Sequence, residues 1–267
     1  MTAVAIATDA RARETLPLGV PRAWQMDAGT LELDRSEMLR YLGHHGQEID
    51  PALAARIDAA ASEAVTTAAP AGVWSVFPVE VAQGDVVRRN PASANHVALR
   101  GTALGLTGRD IYRHLKDARY AAVLTVTLGM RAERRLRVLS TQSPLEGAVF
   151  DAACSALVES AADALNHEIE DAAAAAGLSC NWRFSPGYGD LPLDVQPSVL
   201  AALNATRLCG ITTTPTSLLM PTKSITAFIG LFEGEPRAAD TVRSCAGCRV
   251  ATGCGFRAHG LRCWQAA

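Results

Sequence analysis

The side chains with the clearest chemical potential lie in one short turn of the sequence. Residues 182–190 read Trp-Arg-Phe-Ser-Pro-Gly-Tyr-Gly-Asp and bring together Arg183, Pro186, Gly187 and Tyr188. Proline fixes one backbone dihedral and glycine allows a left-handed or very tight conformation beside it, so backbone N–H and C=O groups are exposed there. An arginine binds a carboxylate through two parallel hydrogen bonds, and a tyrosine ring stacks on a planar ring or a cation. The segment is therefore either a small-molecule site or an ordinary surface turn.

Four cysteines near the end of the chain form a second candidate site. Cys245, Cys248, Cys254 and Cys263 are closely spaced along the chain. Such spacing suits tetrahedral zinc or an iron–sulfur cluster, and the sequence does not distinguish between them. In a reducing compartment this crowding favours a metal or cluster over disulfides. The alternative is a set of unliganded thiols in an oxidisable tail.

Helices are predicted before the turn. Asp34 and Asp50 are N-caps for two helices, the second with proline at its first position. Residues 144–176 carry one apolar stripe at helical spacing, and Gly177 ends this helix. The other side of the same helix is polar and carries Glu159, Asp163, Asn166, His167 and Glu170. The long helix therefore presents carboxylates shortly before the turn.

Predicted strands are interspersed with these helices without a strict strand–helix–strand repeat. Residues 73–81 are rich in β-branched and aromatic side chains, and Pro78 indicates an edge or a bulge. Residues 121–128 form a continuous apolar run that is typical of a central strand. A β-hairpin is predicted from residues 208–214 to a second strand that begins at Ser217 or Ser224 and ends at Phe232. The pattern predicts an α+β fold with a mainly antiparallel twisted sheet and flanking helices.

Composition limits the partners and the location. The chain of 267 residues is 49% hydrophobic and has a formal net charge of −2, so it lacks the basic surplus of nucleic-acid-binding proteins. No apolar run approaches the ~20 residues that cross a bilayer, and no basic segment precedes an apolar one at the start. We expect a cytoplasmic protein that binds neither nucleic acid nor a membrane. Residues 1–240 are predicted to form one domain, and residues 241–267 a Cys-rich tail.

The turn and a later segment together resemble a known family. Arg183 to Tyr188 match the pattern Arg-x-x-x-Gly-Tyr, and the segment from Met220 to Gly230 begins Met-Pro-Thr-Lys-Ser-Ile. This pair resembles the S-adenosylmethionine-binding activation domain of cobalamin-dependent methionine synthase. Residues 38–43 and 124–129 look like segments of the family's short, stand-alone members. The resemblance implies an activation-domain-like α+β fold.

The resemblance also implies a function and a set of roles. Arg183 would anchor the amino-acid part of S-adenosylmethionine, Tyr188 and the backbone around Pro186 and Gly187 the nucleoside, and Asp163 the ammonium group or a water. The protein would support reductive methylation of cob(II)alamin and so reactivate a methionine synthase on a separate chain. That partner would carry the cobalamin, because no Asp-x-His-x-x-Gly motif is present. An electron donor protein is implied as well. If the tail holds an iron–sulfur cluster rather than zinc, that cluster would relay the electron.

Two features depart from the long members of the family. The chain has no counterpart of their N-terminal Asp-Trp-Thr-Pro-Phe-Phe segment, and a loop from Gly234 to Ala239 stands where they carry tyrosines. Part of the ligand shell is therefore missing or rebuilt. These departures support a second hypothesis, a non-catalytic metal-binding assembly protein that keeps the fold. A third hypothesis is an activator of another corrinoid methyltransferase system.

Overall fold

An antiparallel sheet forms the centre of the molecule. A computed structural model describes residues 15–44, 46–81, 95–235 and 252. The strands are β1 Arg22–Gln25, β2 Ala71–Val81, β3 His96–Leu99, β4 Gly105–Thr107, β5 Tyr120–Thr127, β6 Ser179–Cys180, β7 Thr212–Thr213, β8 Leu219–Met220 and β9 Ser224–Phe232. The main sheet has the strand order β4-β3-β2-β5-β9-β6, with β1 also paired to β2, and β7 and β8 form a separate two-stranded sheet.

Helices begin where the sequence places caps. The helices are α1 Arg35–Tyr41, α2 Pro51–Thr67, α3 Arg109–Leu115, α4 Gly129–Gln142, α5 Pro144–Ala175, α6 Gln196–Ala202 and α7 Ala205–Cys209. The Asp34 carboxylate accepts hydrogen bonds from two backbone amides at the start of α1, and Asp50 does the same for α2. Ser143 caps α5, which has proline in its first turn and ends before Gly177. Both predicted N-caps are therefore confirmed.

The sheet lies between two layers of helices. Successive side chains of a strand point to opposite faces, so Trp74 of β2 packs on one side and Val73 on the other. The first side meets α1, α2, α4 and α5 in the larger core. The second side meets α3, α6 and α7 in a smaller core. The predicted α+β fold, an antiparallel sheet with flanking helices, is confirmed.

Helix α5 is the longest element and crosses the whole first layer. At ~1.5 Å per residue its 32 residues extend for about 48 Å. The predicted apolar stripe is buried, with Phe150, Leu157, Leu165 and Ile169 inaccessible to solvent. The Trp74 indole N–H donates to the Glu168 carboxylate at 3.0 Å, which ties α5 to the sheet. This one helix thus contacts several other helices and the sheet.

Two predictions about strands need correction. Pro78 is in an interior strand rather than at an edge, and it lies where the neighbour of β2 on one side changes from β1 to β3. The missing proline N–H therefore costs little pairing. The predicted hairpin is correct only in part: β7 and β8 pair antiparallel, but residues 205–209 are helical and β9 pairs with β5 instead. Since β9 is apolar on both faces, it is stable in the sheet interior, where both faces are covered.

None of the helices in the described ranges is both long and apolar enough to span a bilayer.

Candidate functional site

The segment before the turn runs along the outer side of β9. Phe184 and Phe228 exchange two backbone hydrogen bonds of 2.9 Å, and the Asn181 side chain accepts from the Gly230 amide at 2.7 Å. Because side chains alternate along an extended segment, Phe184 enters the smaller core. Arg183 is turned to the opposite side, towards α5. The strand pairing thus decides which helix the arginine meets.

A buried histidine stabilises this segment from the other face. The His114 ring lies 4.8 Å from the Trp182 ring and 5.2 Å from the Phe184 ring, and its backbone carbonyl accepts from Asn181 at 2.9 Å. Burial lowers the pKa of His114 to about 4, and the backbone groups of Phe228 and Trp182 offset only part of this effect. His114 is therefore neutral near pH 7 and acts as a packing residue.

The Arg183 guanidinium lies against two carboxylates of α5. Its Nη2 donates to Glu159 Oε2 at 3.2 Å and forms an ion pair with Asp163 Oδ1 at 2.8 Å. The arginine side chain is only 10% exposed, whereas that of Asp163 is 63% exposed. Residues four apart lie on the same face of a helix, so both carboxylates reach one guanidinium. Asp163 and Arg183, which the sequence analysis assigns to one ligand site, thus lie in direct contact.

One nitrogen of Arg183 lacks an acceptor. Within the part of the chain that the structure describes, Nη1 is buried and has no hydrogen-bond partner. A buried donor without an acceptor costs about 1–3 kcal/mol, and more when the group is charged. Such a cost is consistent with a ligand that supplies the missing acceptor. A carboxylate fits best, because a guanidinium N–H donates a strong, charge-assisted hydrogen bond to a carboxylate oxygen.

The turn itself has the geometry that its proline and glycine predict. Gly187 has a φ of +92°, and its N–H donates to Leu191 O at 2.8 Å. Pro186 is buried, while Tyr188 is 63% exposed and projects from the turn. The aromatic ring is therefore the exposed part of the turn, and the backbone beside it is fixed by internal hydrogen bonds.

The end of the turn is fixed by a cap that the sequence pattern did not reveal. The Asp190 carboxylate accepts from Arg109 N at 2.7 Å and from Asp110 N at 3.0 Å. These are the first amides of α3, whose own N-cap is Gly108 and provides no side-chain acceptor. The residues are about eighty positions apart, so no local rule of capping could have found the contact. The turn and α3 are thus joined as one unit.

The second half of the sequence motif contacts α5 as well. Lys223 Nζ lies 2.8 Å from Asp151 Oδ1 and 2.8 Å from Ser155 Oγ. Thr222 donates to the Glu133 carboxylate through its backbone N–H at 3.0 Å and its hydroxyl at 2.6 Å. Burial alone would raise the pKa of Glu133, but these hydrogen bonds and Arg137 lower it.

A tyrosine at the end of α1, Tyr41, lies near the Glu159 carboxylate, and Arg40 lies beside it. The Arg40 guanidinium is 4.7 Å from the centre of the Tyr41 ring and is ion-paired with Glu37. Burial chiefly raises the pKa of Tyr41 to about 12, and the nearby Glu159 carboxylate adds to the rise. Tyr41 is thus a neutral, half-exposed neighbour of the Arg183 site.

The cysteines of the described part of the chain are ordinary thiols. Cys154, Cys180 and Cys209 are free. Burial raises the pKa of Cys154 and Cys180 to about 12 and that of Cys209 to about 11. Among the residues with a described placement, no three His, Cys, Asp or Glu side chains form a group that could hold a metal. The proposed metal ligands lie outside the described residues: Cys245, Cys248, Cys254 and Cys263.

Sequence reasoning selected Asp163 but gave no role to Glu159. The signal was present, because the two acids are four residues apart on the polar side of the long helix. Glu159 accepts a hydrogen bond from Arg183, and it is the more buried of the two acids. The candidate site therefore consists of Glu159, Asp163 and Arg183, with the Pro186–Gly187–Tyr188 turn beside them.

Comparisons with known proteins give a clear likeness to solved structures. No protein-family model and no curated protein matches the sequence. A solved structure of the MetH reactivation domain bound to AdoHcy aligns with 100% of this chain and 96% of that chain, with a TM-score of 0.59. The aligned sequences are 15% identical. At this identity the likeness concerns the fold alone. The chain therefore has the fold of the MetH reactivation domain.

Proposed function

We propose that this protein binds S-adenosylmethionine and supports the reductive methylation of cob(II)alamin in a methionine synthase supplied as a separate chain. The observation that carries the proposal is the buried Arg183 guanidinium, with two carboxylates on one nitrogen and no acceptor on the other. The whole-chain likeness to a reactivation domain bound to AdoHcy supports the same reading. Both point to an amino-acid-bearing nucleoside as the ligand class.

The residues of the site fit the parts of such a ligand. In this proposal Arg183 Nη1 donates to the ligand carboxylate, which supplies the acceptor that the buried nitrogen lacks. Glu159 and Asp163 accept from the ligand ammonium group. Tyr188, which projects from the turn, packs against the adenine or the sulfonium. The backbone at Pro186 and Gly187 forms the floor, because its conformation is fixed by internal hydrogen bonds.

The chemistry itself belongs to the ligand and to the cobalamin of the partner chain. The sulfonium provides the methyl group, an electron donor protein provides one electron, and S-adenosylhomocysteine is the product. The contribution of this chain is to bind, orient and shield the methyl donor, so that its methyl group faces the cobalt. A separate prediction assigns zinc or an iron–sulfur cluster to the tail cysteines, and metal analysis of the purified protein will test it.

Isothermal titration of S-adenosylmethionine into anaerobically purified protein tests the proposal. Arg183→Ala removes a charge-assisted hydrogen bond, so we expect a loss of affinity of roughly 10- to 100-fold. Tyr188→Ala removes an aromatic contact, and we expect a loss of roughly 3- to 10-fold. Arg207→Ala is the matched control, because Arg207 is an exposed arginine of α7 in another part of the fold.

The outcome also decides between the hypotheses. Saturable binding that Arg183→Ala weakens and Arg207→Ala does not would support the proposed site. The same titration is then repeated in the presence of the cobalamin-binding methionine synthase chain, followed by an assay of methylcobalamin formation with a chemical reductant. Absence of binding both with and without that partner would refute the proposal and favour the assembly hypothesis.

A further inference from the structure

Helix α4 presents one continuous face to solvent. Successive residues of a helix are rotated by about 100°, so residues three, four and seven apart lie on the same side. The side chains of α4 within about 60° of Arg134 in this rotation are all exposed. This set, the α4 face, consists of Met130, Arg131, Arg134, Arg137, Val138 and Thr141. The opposite side of the helix enters the larger core through Ala132 and Leu139.

The charges of this helix are unbalanced. Four of its ionisable side chains are arginines, and one, Glu133, is acidic. Glu133 is buried and accepts hydrogen bonds from Thr222 and Arg137. Arg135, at the edge of the helix, pairs with Glu63 of α2. Four arginines with two carboxylates leave two positive charges in excess, and the α4 face itself includes no acidic residue.

The three arginines of the α4 face are only weakly engaged by the protein. Within the described ranges, the central Arg134 makes no hydrogen bond or ion pair. The Arg137 side chain is 64% exposed although it pairs with Glu133, and Arg131 makes one long hydrogen bond of 3.4 Å to Thr66 O. The acidic residues in the first two turns of α5 pair with cations of other elements. The positive charge of the face is therefore open to solvent.

The stability of the helix does not account for these arginines. The start of a helix carries a partial positive charge, so a cation in the first turn is unfavourable. Arg131 lies in the first turn of α4, which has no acidic residue. Arg131, Arg134 and Arg137 also follow one another at intervals of three residues, where like charges are neighbours and repel. A negative surface that covered the face would relieve both effects.

Exposed apolar side chains on the same face favour a protein over a nucleic acid. Met130 is 41% exposed and Val138 is 46% exposed. Methionine and arginine are enriched in protein–protein interfaces, where apolar side chains of the partner cover them. A phosphate backbone provides no such apolar counterpart, and the net charge of −2 lacks the surplus of nucleic-acid-binding domains. The matching occupant is a protein surface that is acidic and partly apolar.

The other segments of this chain do not have that character. Residues 236–267 contain five arginines and one acidic residue, and residues 82–94 contain two arginines and one acidic residue. Residues 1–14 contain two arginines and two acidic residues. None of these segments has the excess of acidic residues that would complement the α4 face. The complementary surface therefore belongs to a separate chain.

We propose that the α4 face docks a separate protein chain that presents an acidic, partly apolar surface. The arginines supply long-range attraction and orientation, and Met130 and Val138 supply the apolar contact. The inference stands apart from the proposed function, because no side chain of the Arg183 site belongs to the α4 face. Binding of a small ligand and docking of a partner are therefore separable in experiment.

Fluorescence anisotropy with a labelled peptide of repeating Glu-Glu-Leu units tests the charge requirement. We expect the full-length protein to bind it roughly tenfold more tightly than the matched Gln-Gln-Leu peptide at low ionic strength. Arg134→Glu should weaken binding roughly 5- to 20-fold, because it reverses the central charge of the face. Arg207→Glu, which reverses an exposed arginine of α7, is the matched control and should change binding by less than about twofold.

Val138→Ser distinguishes a protein-docking face from a general polyanion site. It should weaken binding of the Glu-Glu-Leu peptide roughly 2- to 5-fold through the lost apolar contact. Binding of an oligothymidylate probe should not change, because it has no apolar groups at this position. Thermal unfolding of each variant, expected to match the wild type, confirms that the fold is intact.

Four outcomes would overturn the inference. They are no binding of the acidic peptide, equal binding of the glutamine peptide, an Arg134→Glu variant that binds like the wild type, and tighter binding of oligothymidylate than of the peptide. The last would assign the face to nucleic acid. The titrations of S-adenosylmethionine test the proposed function by a different ligand and different variants, so the failure of either proposal leaves the other intact.

Discussion

At the scale of single residues, the backbone at position 187 explains why the turn needs a glycine. A φ of +92° is unfavourable for any residue with a Cβ. A Cβ built there would also lie 3.2 Å from the Leu193 side chain. The residue is therefore constrained twice, by its own dihedral and by a neighbour. The adjacent Tyr188 depends on this geometry for its direction.

We expect Gly187→Ala to destabilise the fold by about 2–3 kcal/mol and to weaken ligand binding. Gly177→Ala is the control, because Gly177 also has a positive φ but no atom would meet its Cβ within 4 Å. It should cost about 1–2 kcal/mol through the dihedral alone and leave binding intact. Urea unfolding of both variants, with titration of S-adenosylmethionine, measures the difference. Equal costs for the two variants would show that the Leu193 contact is unimportant.

At the scale of elements, α5 supports both halves of the sequence motif. Arg183 contacts Glu159 and Asp163, and Lys223 contacts Asp151 about two turns earlier on the same helix. The two motif segments are about forty residues apart in sequence, yet each contributes a cation that pairs with a carboxylate of this helix. A long helix is suited to this role because its backbone is internally hydrogen-bonded and resists bending. The site is thus positioned by a rigid element.

The junction between the turn and α3 gives a second element-scale prediction. Asp190→Ala removes the acceptor of two backbone amides at the start of α3, and we expect a loss of about 1 kcal/mol in the free energy of unfolding. Amide hydrogen exchange at Arg109 and Asp110 should become faster. Asp194→Ala is the control, since this exposed acid caps no α-helix of the described chain, and it should change stability by less than about 0.5 kcal/mol. Unchanged exchange in Asp190→Ala would contradict the capping role.

At the scale of the whole molecule, the pH dependence of stability should report on His114. In the folded protein burial lowers the pKa of His114 from 6.5 to about 4. The unfolded chain therefore binds a proton near pH 6.5 that the native state takes up only near pH 4. The stabilisation is fully present above pH 6.5 and is lost as the pH falls to about 4, a change of roughly 3 kcal/mol.

Denaturant unfolding at a series of pH values from 7 to 4 measures this effect. The wild type should lose stability steadily over the range, and His114→Gln should show a flatter profile whatever its absolute stability. His167→Gln is the control, because His167 is exposed on α5, and its profile should follow the wild type. A His114→Gln profile with the wild-type slope would show that another group causes the loss.

The sequence by itself determined the elements, because caps and periodicity are local. Asp34, Asp50 and Gly177 mark helix ends through contacts with residues a few positions away, and the apolar runs of β2 and β5 indicate buried strands. The fold class and the turn geometry follow from the same short-range rules. The motif residues Arg183 and Asp163 were also found in the sequence, since a resemblance to a family compares residue types at aligned positions.

Only the tertiary structure decided which residues meet. The pairing of β9 with β5 instead of with the 208–214 segment depends on which position buries two apolar faces, and no local pattern contains that information. The same pairing sets the alternation that turns Arg183 towards α5, where Glu159 joins Asp163 on one guanidinium. Asp190 reaches α3 across about eighty residues for the same reason. Long-range contacts are fixed by the burial of the whole chain, so the contacts of Arg183 could be read only from the folded molecule.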